Sequence, residues 1–136
     1  MDNPTVIPML AYEHGPAAMD WLAAAFGFKE RTRMLEGDRL THGEMEAGDG
    51  VIMMATPSLD YQGPRHHREE CEAARKWSEV PYIVDGLLVY VPDATTHFAT
   101  AKAAGATILS ELEDGEHGKR YRVEDIEGHR WMFMER

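Results

Sequence analysis

The sequence contains a single cysteine, Cys71, among 136 residues. One thiol cannot form an intrachain disulfide or a zinc site of several cysteines, and it suits a reducing compartment. No stretch approaches the roughly 20 consecutive apolar residues that cross a bilayer. The amino-terminal segment also lacks the basic and apolar regions of a secretory signal. The sequence therefore predicts a soluble, cytoplasmic protein.

Positive charge is also scarce. The chain has 14 Lys and Arg against 24 Asp and Glu, a formal net charge of −10. Because an acidic surface repels phosphate backbones and anionic lipids, neither a nucleic acid nor a membrane surface is expected as a partner. A small molecule that is neutral or cationic is favoured. The 43% hydrophobic and 28% charged residues are typical of one folded domain.

Comparison of the chain with itself reveals two similar halves, since the segment from Leu10 aligns with the segment from Leu88. In each half a short strand precedes an Ala-rich helix that ends at a glycine, Gly27 or Gly105, and three strands follow. Each half is therefore predicted to be a βαβββ unit, which gives an α+β fold. The predicted parts of this single domain are residues 1–57 for the first repeat, 58–85 for a linker with one exposed helix, and 86–136 for the second repeat.

A βαβββ unit covers one face of its sheet with its helix and leaves the other face open, so two units are expected to enclose a cleft. With a two-residue turn in the AGDG segment, Glu44 faces Met53 on the adjacent strand, and His42 lies on the same open face. Alignment of the closing hairpins with one residue inserted ahead of them predicts that Tyr121 and Met132 occupy the matching positions of the second half.

Three segments carry a resemblance to a known family: the AMDWLAAAFGF helix, the THGEMEAGDGVIMM hairpin and the closing HGKRYRVEDIEGHRW segment. Within two βαβββ halves they resemble the vicinal oxygen chelate superfamily, which includes glyoxalases, extradiol dioxygenases, fosfomycin-resistance enzymes and bleomycin-resistance proteins. The resemblance implies an eight-stranded module, often a homodimer, with the active or binding site in the cleft of the sheet. Because this fold supports both metal catalysis and drug binding, it does not by itself define the function.

Enzymes of this superfamily hold a divalent ion with His or Glu side chains from the first and last strands of each half. The corresponding positions here are Ile7, Met53, Gly86 and Met132. None of these side chains offers the nitrogen or oxygen that such ions require. The leading hypothesis is therefore binding and sequestration of a bulky aromatic or cationic small molecule, such as an antibiotic, with no metal and no cofactor.

The predicted ligand-binding residues lie on the open faces and are His42, Glu44, Met53, Tyr90, Tyr121 and Met132. Aromatic rings stack on planar or cationic ligands, and methionine forms an adaptable apolar floor. Tyr61, Trp77 and Tyr82 flank the linker, which is able to close over the cleft. Arg120 and Arg122 suit an acidic group, but arginines are common on surface strands, so these two receive little weight.

Two other functions stay open. In the first, His42 and Glu44 recruit a metal or act as acid and base in a glyoxalase-like lyase or isomerase, or in a dioxygenase, because alternate residues of a strand share a face. In the second, the domain has a regulatory or scaffold role and the cleft stays empty. The leading hypothesis assigns no catalytic residue.

Overall fold

The computed structural model describes residues 3–136, whose contacts divide into two compact units, one ending at Gln62 and the other spanning Gly63–Arg136. Each unit contains one four-stranded sheet and a helix between its first two strands. This arrangement confirms the predicted α+β class and the βαβββ order of both halves. Within residues 3–136, no helix has the length and apolar character needed to span a membrane.

The first unit has the strand order β1-β4-β3-β2. Its elements are β1 (Met9–Ala11), α1 (Gly15–Phe26), β2 (Lys29–Glu36), β3 (Arg39–Ala47) and β4 (Gly50–Ala55). The second unit has the order β5-β8-β7-β6. Its elements are α2 (Pro64–Glu70), α3 (Glu72–Trp77), β5 (Gly86–Tyr90), α4 (Ala94–Ala103), β6 (Thr107–Gly115), β7 (Gly118–Glu124) and β8 (Arg130–Met134). In both sheets the first strand runs parallel to the last, and the other pairs are antiparallel.

Helix α1 buries large side chains against a small residue of the sheet. Met19, Leu22 and Phe26 recur at helical spacing and are at most 4% exposed. Below them Gly43 of β3 has no side chain, and a Cβ built there would lie 2.8 Å from the Met19 sulfur. The helix ends at Gly27, whose φ of 75° is the left-handed conformation that glycine adopts without strain.

Helix α4 meets its sheet differently. Its fully buried residues are Ala94 and Ala101, while its His97 and Phe98 contact the ring of the buried Tyr121 in β7. The carboxylate of Asp93 accepts a hydrogen bond from the Thr96 backbone N–H at 3.0 Å and so caps the amino terminus of the helix.

The linker differs from the single exposed helix that the sequence predicts. It forms two short helices, α2 and α3, because Cys71 between them has an extended backbone with φ −132° and ψ 109°. The segment is also anchored rather than free: Arg65 and Arg68 of α2 reach the buried carboxylate of Glu124 in β7. The linker helices therefore belong to the second unit.

Candidate functional site

The open face of the first sheet carries a histidine and a glutamate in direct contact. Glu44 pairs with Met53, and Met53 pairs with Met9, which is 80% exposed. This register is the one predicted from the AGDG turn. The His42 Nε2 atom lies 2.7 Å from Oε2 of Glu44, and a guanidinium nitrogen of Arg31 lies 3.9 Å from the other carboxylate oxygen. We call Met9, His42, Glu44 and Met53 the first open face.

The open face of the second sheet has a different chemical character. Leu88 pairs with Met132, and Met132 pairs with Arg122 across the three adjacent strands. Tyr90 is 41% exposed two residues beyond Leu88, and the Arg136 guanidinium carbon lies 4.2 Å from the centre of its ring. We call Leu88, Tyr90, Arg122 and Met132 the second open face. Tyr90 and Met132 thus both lie on this face.

The predicted position of Tyr121 is wrong. Its side chain is fully buried on the helix-covered face, where its hydroxyl oxygen lies 2.6 Å from Nδ1 of His97 and its ring stacks on Phe133. Burial also raises the pKa of this hydroxyl well above its ordinary value. A buried phenol between helix and sheet is a core residue and does not contact a ligand on the open face.

The error in the position of Tyr121 comes from where the extra residue lies. Residues 47–50 separate the paired Glu46 and Val51 in the first half, whereas residues 125–129 separate the paired Glu124 and Arg130 in the second. The additional residue is therefore in the β7–β8 turn and not ahead of β7. A shift of one residue exchanges the two faces of a strand, so Arg122 replaces Tyr121 on the open face.

A pocket of about 190 Å³ lies on the second open face. Its walls include Leu88, Met132 and Arg122 from the sheet, together with Pro81 and Tyr82 from the segment after α3. The Arg122 guanidinium carbon lies 5.7 Å from the centre of the Tyr82 ring, within the range of a cation–π contact. The sequence places Tyr82 beside the linker but does not indicate that it meets Arg122.

A buried ion cluster attaches the linker segment to this sheet. The carboxylate of Glu124, which is fully buried, accepts hydrogen bonds from Arg68 at 2.6 and 2.8 Å and from Arg130 at 2.8 and 3.0 Å. Arg130 also donates to the backbone oxygens of Ser78 and Val80. Burial by itself raises the pKa of Glu124, but the bonds from the two arginines outweigh it and hold the pKa below its ordinary value. The cluster thus holds the chain just ahead of Tyr82 against the sheet.

A second pocket, of about 290 Å³, lies between the linker helices and the β7–β8 turn. Trp77, Ile83 and His129 contribute to its lining, as do Arg68 and Arg130 of the ion cluster. None of the predicted ligand-binding residues lines it. The predicted residue Met132 lines the pocket on the second open face instead, so that pocket is the candidate site.

The residues at the family's metal positions do not fit a divalent ion. On the open faces the strand neighbours of Met53 and Met132 are Met9 and Leu88, and the positions Ile7 and Gly86 offer no donor side chain either. Thioether and alkyl groups are poor ligands for hard or borderline cations, which require carboxylate or imidazole donors. Within residues 3–136, no group of three or more His, Cys, Asp or Glu side chains is arranged to hold a metal ion.

Comparison with known families shows which one the chain represents. The family model named Glyoxalase/Bleomycin resistance protein/Dioxygenase superfamily matches residues 7–133. The chain belongs to this superfamily. The match confirms the resemblance seen in the sequence, and a search of curated proteins gave no match.

Several solved structures have the same fold. TioX from Micromonospora sp. ML1 is 28% identical, with a TM-score of 0.71 and coverage of 98% of this chain and 96% of that one. TnmS3, described as an antibiotic binding protein from Streptomyces sp. CB03234, is 13% identical, with a TM-score of 0.66 and coverage of 99% and 98%. The bleomycin-binding protein from Streptomyces verticillus, solved with copper(II)-bleomycin, is 12% identical, with a TM-score of 0.60 and coverage of 100% and 98%.

Proposed function

We propose that this superfamily member binds and sequesters a bulky aromatic small molecule, of the kind found among antibiotics, without a metal ion. The observation that carries the proposal is the pocket on the second open face. Tyr82, Leu88 and Met132 give it aromatic and apolar walls, and Met132 stands at one of the positions where the superfamily resemblance implies a metal ligand. Such walls bind a ring system by stacking and dispersion, but they do not polarise a substrate oxygen.

The relatives support the same proposal. TnmS3 is described as antibiotic-binding, and the Streptomyces verticillus protein as bleomycin-binding. Their likeness to this chain extends to the fold, and the fold suits a function that needs only stoichiometric capture. Of the predicted binding residues, we assign Tyr90 and Met132 to the binding face, together with the newly recognised Leu88. His42, Glu44 and Met53 belong to the alternative considered below.

The test is a titration of chelator-treated protein with three antibiotics: metal-free bleomycin, doxorubicin and nalidixic acid. At least one should raise the unfolding temperature and quench intrinsic fluorescence, since a ligand at 100 times its Kd stabilises the folded state by about 2.7 kcal/mol. The Leu88→Lys variant should lose this binding. Met9→Lys changes the corresponding exposed residue of the first half and should retain it. Equal losses in both variants, or binding that requires added metal, would contradict the proposal.

A metal-dependent enzyme is the second candidate, and one observation favours it. His42 and Glu44 are 2.7 Å apart and partly exposed, so they are able to act as an acid–base pair or as two ligands of an ion. Purified protein that contains one equivalent of zinc, nickel, iron or manganese, lost in the His42→Ala variant, would favour this function. Absence of any ligand response together with a copurifying protein would instead favour a scaffold role.

We further propose that the protein acts as a homodimer in the cytoplasm. The superfamily resemblance supports the dimer, and the single thiol of Cys71 suits a reducing compartment. Light scattering should give a mass twice that of the 15.4 kDa chain. A mass equal to one chain at micromolar concentration would contradict the dimer.

A further inference from the structure

Among residues 3–136 of this acidic protein, Arg122 stands apart because no acidic side chain pairs with it. Its neighbour Arg120 on the same strand forms an ion pair with Glu113 at 3.1 Å, and Arg68 and Arg130 share the carboxylate of Glu124. For Arg122, by contrast, the contact that the structure records for the guanidinium is the ring of Tyr82, and no carboxylate of the described chain lies within ion-pair distance. Because Arg122 lines the pocket, its guanidinium donors are available to a ligand that enters there.

The position of Tyr82 is also set by the fold. Arg130 fixes the preceding segment by donating to the backbone oxygens of Val80 at 2.6 Å and Ser78 at 2.7 Å. Tyr82 follows two residues later and is 64% exposed, so one side of its ring remains available beside Arg122. The pocket therefore combines an aromatic surface and a free positive charge, both held by the sheet and by the buried ion cluster.

The size of the pocket limits what it accepts. Its volume of about 190 Å³ is below the roughly 300–1,000 Å³ of pockets that enclose a whole drug-sized ligand. It therefore accommodates one flat ring system with a small substituent, while the rest of a bulky ligand lies outside.

The overall charge of −10 favours cations at long range, but at contact the local charge dominates. Physiological salt screens exposed charges beyond a Debye length of about 8 Å. Within that distance a guanidinium favours a carboxylate, with which it forms two parallel hydrogen bonds, and disfavours an ammonium group.

We infer that the pocket on the second open face selects a planar aromatic group that bears a carboxylate or a similar anion, with Arg122 pairing with the anion and Tyr82 stacking on the ring. The inference rests on the proposed binding function and specifies its ligand class. It also reverses the expectation from the sequence that a cationic ligand is suitable.

The experiment compares three naphthalene probes that share one ring system: 2-naphthoate, neutral 2-naphthamide and 2-naphthylmethylammonium. Calorimetric titration of the full chain should show that the anion binds about tenfold more tightly than the amide, and the amide more tightly than the ammonium. The Arg122→Gln variant should reduce the affinity for 2-naphthoate by about tenfold and leave 2-naphthamide within about twofold. Arg120→Gln is the matched control and should change neither. Tyr82→Leu should weaken all three probes by a similar factor.

Three results would overturn the inference: ammonium binding as tight as anion binding, unchanged 2-naphthoate affinity in Arg122→Gln, or no naphthalene binding by a protein that does bind one of the three antibiotics. The last result leaves the proposed function standing, whereas failure of both probe sets removes both proposals. The wild-type order of the three probes is decisive even if a variant fails to fold, and Arg122→Lys provides a milder change that keeps the charge.

Discussion

The two halves of this protein place opposite charges at the same position of the same fold. Glu44 lies opposite Met53 in the first sheet, and Arg122 lies opposite Met132 in the second. The carboxylate is 2.7 Å from His42, whereas the guanidinium contacts an aromatic ring. In both halves the strand next to the methionine contributes an apolar residue, Met9 or Leu88. The two open faces thus share the same arrangement of strands but carry side chains of different chemistry.

The helix-covered faces differ as well. Gly43 of β3 corresponds to Tyr121 of β7, because each precedes the residue that lies opposite a methionine, Met53 or Met132. A Cβ at Gly43 would meet Met19 of α1, whereas Tyr121 contacts His97 and Phe98 of α4. In a close-packed interior each of these positions has to fit its own neighbours. The comparison shows that a side chain at an equivalent position is not interchangeable between the halves.

The largest expected difference between the halves concerns Glu124 and its counterpart Glu46. Glu124→Gln leaves the buried Arg130 without its carboxylate, and removal of one partner from a buried ion pair costs about 3–5 kcal/mol. Glu46→Gln changes the corresponding residue, which is partly exposed, and should cost less than about 0.5 kcal/mol. Denaturant unfolding of both variants measures the difference. Equal losses would show that the cluster does not stabilise the second unit.

Acid should weaken the same cluster. Because the pKa of Glu124 is lower in the folded state than its ordinary value of 4.5, the carboxylate stabilises the folded state fully above that value. This contribution is lost as the pH falls through the lowered folded pKa, since the unfolded chain binds the proton first. Unfolding free energies measured at decreasing pH should fall more steeply for the wild type than for Glu124→Gln. Parallel curves would contradict the assignment.

The contrast in core packing predicts smaller losses. Gly43→Ala places a methyl group 2.8 Å from the Met19 sulfur and 3.1 Å from Cγ of Met54, and overpacking of this kind costs about 1–3 kcal/mol. Gly27→Ala is the control for backbone strain. The added methyl group has no atom within 4 Å, so any loss of stability comes from the left-handed backbone conformation and not from crowding. Addition of Met19→Ala makes room beside residue 43 but not beside residue 27. It should therefore reduce the loss of unfolding free energy caused by Gly43→Ala and leave the loss caused by Gly27→Ala unchanged. The same response in both would contradict the packing account.

A hydrogen bond distinguishes the other helix. Tyr121→Phe removes the hydroxyl that lies 2.6 Å from His97 but keeps the buried ring, so the loss should be about 1 kcal/mol. The variant should bind ligand with wild-type affinity, because Tyr121 does not reach the open face. A stable variant with impaired binding would show that Tyr121 contributes to the binding site.

The smallest effect is expected from His42→Ala. The histidine side chain is 36% exposed, and partly exposed ion pairs contribute about 0–1 kcal/mol. If the second open face is the binding face, the variant should retain both stability and antibiotic affinity within about twofold. A large loss of affinity would show that the ligand binds to the first half.

The sequence predicts the repeat, both principal helices and the first hairpin because each has a local signal. Gly27 and Gly105 end the helices, and the AGDG turn fixes the register of β3 and β4. The β7–β8 turn has no such signal: its five residues are organised by the carboxylate of Asp125, which accepts bonds from the backbone N–H groups of Glu127 and His129. That contact exists only in the folded turn, so the sequence alone does not give the register of Tyr121.

The candidate site was only partly predictable for a related reason. Tyr90 and Met132 follow from alternation along strands, which a sequence displays directly. The contact between Tyr82 and Arg122 depends on the ion cluster, whose long-range bonds join residues 50 to 56 positions apart in the chain. The break at Cys71 likewise allows the linker to follow the sheet, whereas its charge pattern predicted one exposed helix.

The central claim is that the second open face binds an aromatic ligand without metal, and methionine methyl groups report on it directly. The chain has nine methionines. For the measurement, their methyl groups are labelled with carbon-13, and each NMR signal is assigned by a Met→Leu substitution. In chelator-treated protein, the tightest-binding of the three antibiotics should shift the signal of Met132, while those of Met9 and Met53 stay in place. Shifts confined to Met9 and Met53, or shifts that require added divalent metal, would contradict the claim.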